Sequence, residues 1–162
     1  MVVRATHAVG AEALLEITHG TRSVDPMVLE ALAEHAVALR GGPGFEGLAA
    51  GQGLRVVRES LPSGVWGLHA PGIVAVAPMR CPATVQVVGA HEVSHSLLRR
   101  SRLDHHHADV WCCGLAMLMP APELRRLRPR SAIEVAAAFG VPHYAAALRL
   151  EVLAQTGVFV AA

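Results

Sequence analysis

HEVSHSLLRRSRLDHHHADVWCCGLAMLMP, residues 91–120, is the stretch on which the reading of this chain turns. It opens with His91 and His95 four residues apart. On a helix that spacing puts two imidazoles on one face, one turn above the other, where both reach a single metal ion. Glu92, between them, lies on a neighbouring part of the same face. A Zn²⁺ ion held there would acidify a bound water, and Glu92 would take the proton as that water attacks a peptide carbonyl.

The flanking residues predict the helix that this chemistry needs. Val85 to Ala90 are small or apolar apart from Gln86. Ser96 to Arg100 continue a buried stripe and end in two arginines, where the macrodipole of a helix C-terminus favours cations. The active-site helix is therefore expected from about Val85 to Arg100. A catalytic zinc usually takes a third protein ligand. Asp104, His105, His106, His107 and Asp109 all lie close enough in sequence. Asp109 opens an apolar run that ends at Pro120, so it is expected either to meet the exposed amides of that helix or to face the first helix and close the site. The triplet His105–His107 reads as a solvated run, with metal binding as its alternative.

Composition bounds the rest. At 162 residues the chain suits one domain with a real core. A net charge of +1 gives no general attraction to nucleic acid, membrane or acidic substrates. Lysine is absent, so arginine clusters carry little meaning on their own. Cys81, Cys112 and Cys113 make no disulfide framework and suit a reducing cytoplasm. No signal-peptide pattern and no bilayer-length apolar run is present, so a cytoplasmic protein without membrane attachment is expected.

Along the chain, Gly10 to Ile17 carry a short helical pattern that Gly20 would stop. Asp25-Pro26 reads as an N-cap followed by proline at the first helical position. Val28, Leu29, Leu32, His35, Ala36 and Leu39 share one face of the helix that follows, and Gly41 to Gly44 end it. His7, His19 and His35 lack spaced partners and read as surface or packed residues. Phe45 to Gly53 read as a glycine-rich connection with a helical turn. Leu54–Arg58, Val65–His69 and Ile73–Ala77 read as strands, the last two joined as a hairpin through Ala70-Pro71-Gly72. His69 is expected to face solvent from that hairpin, with an approach to the site as its alternative. Beyond Pro120 come a short helix over Ala121–Leu127, a second one capped by Ser131, and a third from His143 to about Ala154. The last two, with Phe139-Gly140-Val141 between them, resemble a helix-turn-helix. Their surface offers little to DNA, so packing is the expected role and direct DNA binding is not. His143 and Tyr144 are candidate hydrogen-bond donors to an oxyanion formed during hydrolysis.

An HExxH motif followed by an acidic residue that opens a leucine-rich helix closing in Leu118-Met119-Pro120 resembles the ImmA/IrrE metallopeptidases, small bacterial and phage zincins. Their pattern after the histidines is roughly Glu-Ala-Asn-x-Phe-Ala-Ala-x-Leu-Leu-Met-Pro. Counting back from Pro120, the family glutamate falls on Asp109, and Met117 to Pro120 fall on the closing Leu-Leu-Met-Pro. Asp109 is one methylene shorter than that glutamate, Trp111 stands for the asparagine, and Cys112-Cys113-Gly114 replace Phe-Ala-Ala. Phe139-Gly140-Val141 and Arg149-Leu150 match later family features, with Pro142 in place of a serine.

The resemblance implies an α+β fold: a zincin-like metallopeptidase domain over residues 1–128, with helices packed around a small, mainly antiparallel sheet. Residues 129–162 form a C-terminal helical, helix-turn-helix-like segment packed on the same domain. It implies Zn²⁺, with Mn²⁺ as the alternative ion, held by His91, His95 and Asp109, and Glu92 as general base. His105 remains the alternative third ligand, because the loop before Asp109 is shorter than the family's. The implied partner is a protein substrate, a helix-turn-helix transcriptional repressor whose cleavage derepresses phage, mobile-element or stress genes. The rival expectations are a catalytically weak or inactive zincin-fold regulator that binds a protein partner or DNA, and a metal-dependent hydrolase of a non-peptide substrate.

Overall fold

The computed structural model describes residues 4–6 and 20–157. The pattern over Gly10–Ile17, and with it His7 and His19, lies outside the described residues. The architecture is α+β: seven helices and a small mixed sheet among the described residues. In chain order these are β1 (Arg4–Thr6), α1 (Pro26–Ala38), α2 (Gly44–Gly51), β2 (Arg55–Arg58), β3 (Gly67–Ala70), β4 (Ile73–Val76), α3 (Pro82–Arg100), α4 (His107–Leu118), α5 (Ala121–Leu127), α6 (Ala132–Phe139) and α7 (His143–Thr156).

The sheet runs β1-β3-β4-β2. The expected hairpin is β3 and β4, antiparallel, with Ala70 opposite Ile73; Gly72 takes φ 77° in its turn, a conformation open to glycine. β1 joins β3 antiparallel, while β2 lies parallel to β4 on the opposite edge. Two of the three pairings are thus antiparallel, as expected, and the parallel one places β2 beyond the hairpin rather than within a meander.

α3 is the centre of the fold. It starts with Pro82 at a position where a missing N–H costs nothing, ends in Arg99 and Arg100, and buries nearly every residue from Val87 to Leu98. α4 packs along one side of it and the sheet along another. α2 occupies a third side, where the expectation was only a turn. Phe45 of α2 is fully buried against Gly89, and a Cβ at Gly89 would collide with its ring, so a glycine is required for the two helices to close.

α1 begins as its sequence foretells, with the Asp25 carboxylate accepting from Met27 N at 2.7 Å and Pro26 in the first turn. Its buried face is rotated from the expected one: Leu29, Glu30, Ala33 and Ala36 go inward, while Val28, His35 and Leu39 are exposed. Glu30 turns inward because Arg149 of α7 meets it there, forming a two-pronged ion pair that includes an Nη2–Oε2 bond of 2.7 Å. The same guanidinium donates from Nε to the Met119 carbonyl at 3.0 Å. Arg149, 1% exposed, is therefore a tie between α1, α7 and the end of α4. Burying two charges is tolerable only with such complete pairing. α6 and α7 pack on each other around the Phe139-Gly140-Val141 turn, and α7 also packs on α4. No helix among the described residues is long and apolar enough to cross a membrane.

Candidate metal centre

Helical spacing places Glu92, His95 and Arg99 along one stripe of α3, with His91 one turn before His95. His91, Glu92 and His95 are all buried. α4 then brings a third imidazole to the first two, and it belongs to His107. Ring nitrogens of His91, His95 and His107 lie within 4.8 Å of one another. Nε2 of His91 and Nε2 of His107 are 2.9 Å apart. Two nitrogens bound to one tetrahedral Zn²⁺ at its usual bond lengths would be separated by about 3.3 Å, so the pair is already close to ligand spacing. The indole of Trp111 lies against His91, ring centres 4.0 Å apart. His91 Nδ1 is buried without a hydrogen-bond partner among the described residues, so packing on Trp111, rather than a second hydrogen bond, sets the plane of its ring.

The electrostatics favour the neutral form that a metal ligand must have. Burial holds the His91 imidazole well below the ordinary histidine range, and the neighbouring His95, His107 and His69 push it the same way. A cluster of this kind repels protons and presents lone pairs. Imidazole donors suit Zn²⁺ and other borderline cations, so the donor set fits the expected metal chemistry.

The structure brings His107, and not Asp109, to the histidine pair. Asp109 is 0% exposed, yet its carboxylate belongs to neither group of side chains that could hold a cation among the described residues. Oδ2 accepts from His106 N at 2.8 Å, Ser23 N at 3.1 Å and Ser23 Oγ at 3.2 Å; Oδ1 accepts from Val24 N at 3.4 Å. Asp109 is the third residue of α4, reaching back to the amide of the N-cap residue, His106. α4 starts two residues earlier than the apolar pattern suggests. His107 thereby becomes its first residue and points at α3, while the carboxylate ties down the chain entering α1. His105, the alternative ligand, instead donates from Nδ1 to the Leu103 carbonyl at 2.8 Å, with its ring centre 6.3 Å from that of His95. Asp104 and His106 are exposed.

His69 departs from its expected place. It is 1% exposed rather than solvent-facing. Its ring stacks on His95 with centres 4.3 Å apart, its Nδ1 lies 3.0 Å from Glu92 Oε2, and its Nε2 lies 2.9 Å from Arg99 Nη2. Gly67, two residues away on the same face of β3, permits this approach: a Cβ there would sit 2.6 Å from Glu92 Oε1. His69, Glu92 and His95 form a second group of donor atoms within 4.8 Å of one another, and the two groups share His95.

The proposed oxyanion donors are not brought to this centre. His143 is exposed at the start of α7. Tyr144 is half-buried near Cys81, which precedes α3; ten residues of helix, about 15 Å at the usual rise, separate that end from His91. Burial pushes the Tyr144 phenol up to about 12.

Compared with known proteins, the chain matches no protein-family model and no curated protein sequence.

Proposed function

We propose that the chain is a zinc-dependent endopeptidase with a zincin-like domain of the ImmA/IrrE type, acting in the cytoplasm on a helix-turn-helix transcriptional repressor. The observation that supports this reading best is the meeting of three imidazoles, His91, His95 and His107, at one point beside Glu92. Three protein ligands and one open position are what a catalytic, rather than structural, zinc needs. An all-nitrogen ligand set favours Zn²⁺ over Mn²⁺, which prefers oxygen donors. When bound, the ion supplies Lewis acidity toward a peptide carbonyl and toward water. His91, His95 and His107 hold it as neutral donors, and the indole of Trp111 keeps water from the back of His91. Glu92 takes the proton of the attacking water and returns it to the departing amine, the role its place between the two helical histidines gives it.

The repressor as substrate rests on the resemblance of the motifs alone. Direct DNA binding is disfavoured, because Arg149, the one arginine of α7, is buried in its ion pair with Glu30. The complete burial of Glu92 is the observation that favours the rival reading, a zincin-fold regulator with little or no turnover.

The test is cleavage by the purified, zinc-loaded chain of two substrates: a proteome-derived peptide library and the repressor encoded beside its own gene. The expected result is a single cut in the repressor, lost in Glu92→Gln while zinc stays bound. An uncut repressor with either zinc or manganese present would overturn the substrate assignment, and undiminished cleavage by Glu92→Gln would remove Glu92 as the base.

A further inference from the structure

His69 touches all three members of the stripe on α3, and the chemistry of its neighbours fixes its protonation. A guanidinium has donors only and stays charged in proteins. Arg99 Nη2, 2.9 Å from His69 Nε2, must therefore donate, and Nε2 must be the bare, accepting nitrogen. In a neutral ring the proton is then on Nδ1, which faces Glu92 Oε2 at 3.0 Å. Stacking on His95 and burial against α3 hold the plane of the ring. The lone pair that a cation would need is spent on Arg99, so His69 is no ligand in this arrangement, although it lies in a group of potential ligand atoms.

We infer that Arg99 and His69 form a positioning pair for Glu92: Arg99 holds His69 through Nε2, and the His69 Nδ1–H holds the Glu92 carboxylate at Oε2. This deepens the endopeptidase reading and rests on it for its catalytic consequence. Glu92 is fully buried beside β3, with Gly67 opposite it, so the direction of its carboxylate is set by the groups packed on it, and His69 is one of them. The stacking also places the His69 ring under His95, so the residue that orients the base lies directly against one of the proposed ligands.

Two arms test the inference separately from the function. The first needs no substrate. Long-range ¹H–¹⁵N correlation of the imidazoles, in metal-free and zinc-loaded protein, should show His69 protonated at Nδ1 and bare at Nε2; Arg99→Met should leave the proton on Nδ1, where Glu92 still accepts it, and shift the Nε2 resonance toward that of an unbonded bare nitrogen. A His69 ring protonated at Nε2 in the unaltered protein, or an Nε2 resonance indifferent to Arg99→Met, overturns the inference whether or not the chain cleaves anything.

The second arm uses turnover of the peptide library. His69→Ala should lower kcat roughly 10–100-fold, the usual cost of losing an outer partner, with KM and zinc affinity little changed. His69→Asn keeps an N–H close to the place of Nδ1 and should recover most of that loss. Asparagine is too short to offer Arg99 an atom in the place of Nε2, so Arg99→Met should lower kcat in the unaltered protein and be silent in the His69→Asn background. Equal losses for His69→Ala and His69→Asn, or an Arg99→Met penalty that persists alongside His69→Asn, would show a merely structural contact and overturn the positioning role. Absence of cleavage by the unaltered, zinc-loaded chain would sink the endopeptidase reading and the catalytic role of the pair together, and the imidazole spectra would still decide whether Arg99 holds the His69 ring.

Discussion

Asp109→Asn and His107→Ala separate the two tasks that meet at the start of α4, holding a helix and holding a cation. The Asp109 carboxylate takes four donors, two of them at 3.1 Å or less: His106 N and Ser23 N. Asparagine keeps the volume but removes the charge and turns one oxygen into an NH₂ group. If its oxygen keeps the place of Oδ2, the two shorter bonds fall from charge-assisted to neutral, a loss of about 1 kcal/mol each. Val24 N then faces a donor in a buried setting, which adds about 1–3 kcal/mol. The expected destabilisation of the metal-free protein is roughly 3–5 kcal/mol, a large share of a total of about 5–15 kcal/mol for a domain. Zinc affinity should change no more than about threefold, as for groups that share no partner.

His107→Ala is the opposite case. It leaves the cap intact, so metal-free stability should move by about 1 kcal/mol or less. Zinc affinity should fall by more than the roughly 100-fold that loss of an outer partner can cost. Urea unfolding of chelator-treated protein gives the first quantity, and competition with a chromophoric chelator gives the second. A third reading links them: zinc at about a thousand times the Kd of the unaltered protein should add about 4 kcal/mol to that protein and to Asp109→Asn, and at most about 1.4 kcal/mol to His107→Ala. If Asp109→Asn loses zinc at unchanged metal-free stability while His107→Ala retains it, the carboxylate is the ligand and the assignment made from this geometry is wrong.

Thiol chemistry should divide the cysteines. Cys81 is exposed, and hydrogen bonding from Thr84 holds its thiol below 9.0, so iodoacetamide should label it in the folded protein, with Cys112 and Cys113 labelled only after unfolding. Burial raises Cys112 to about 11 and Cys113 to about 12. In the unfolded chain both ionise near 9.0, so their contribution to stability is intact below that pH and is lost as pH climbs through the folded values; urea midpoints should fall from pH 9 upward, and less so in Cys113→Ala. Gly67→Ala sets a Cβ 2.6 Å from Glu92 Oε1, so it should cost about 1–3 kcal/mol by overpacking and lower cleavage more than it lowers zinc binding, as seen by parallel unfolding, turnover and metal assays. Arg149→Met leaves Glu30 buried without its partner and should cost about 3–5 kcal/mol in urea unfolding; adding Glu30→Leu should recover much of that, and no recovery would mean the pair is not the cause.

What the sequence made legible follows from which physical signals are local. The α3 helix, its two spaced histidines, the hairpin and the three C-terminal helices each announce themselves through periodicity, caps or turn residues within a dozen positions. The third imidazole of the cluster did not, because one carboxylate can either cap a helix or bind a cation, and spacing does not say which. Asp109 as the third residue of α4 meets the amide of His106 two residues before the apolar run becomes visible, and that choice alone turns His107 inward. A run of three histidines next to an aspartate looks solvated for the same reason: nothing in its composition distinguishes the ring that faces α3 from the ones that do not.

His69 was hidden by a different competition. On β3, Leu68 is the residue that hydrophobicity would send inward, yet Leu68 is half-buried while Gly67 and His69 take the covered face. Burying a polar ring costs least when both nitrogens are satisfied, and the two groups that satisfy those of His69, Glu92 and Arg99, sit seven residues apart on another element. Gly67 was the available clue: a strand glycine marks a close approach, and period two puts His69 on that same face. The polar centre thus decides which way the strand faces, and the apolar pattern of β3 yields to it.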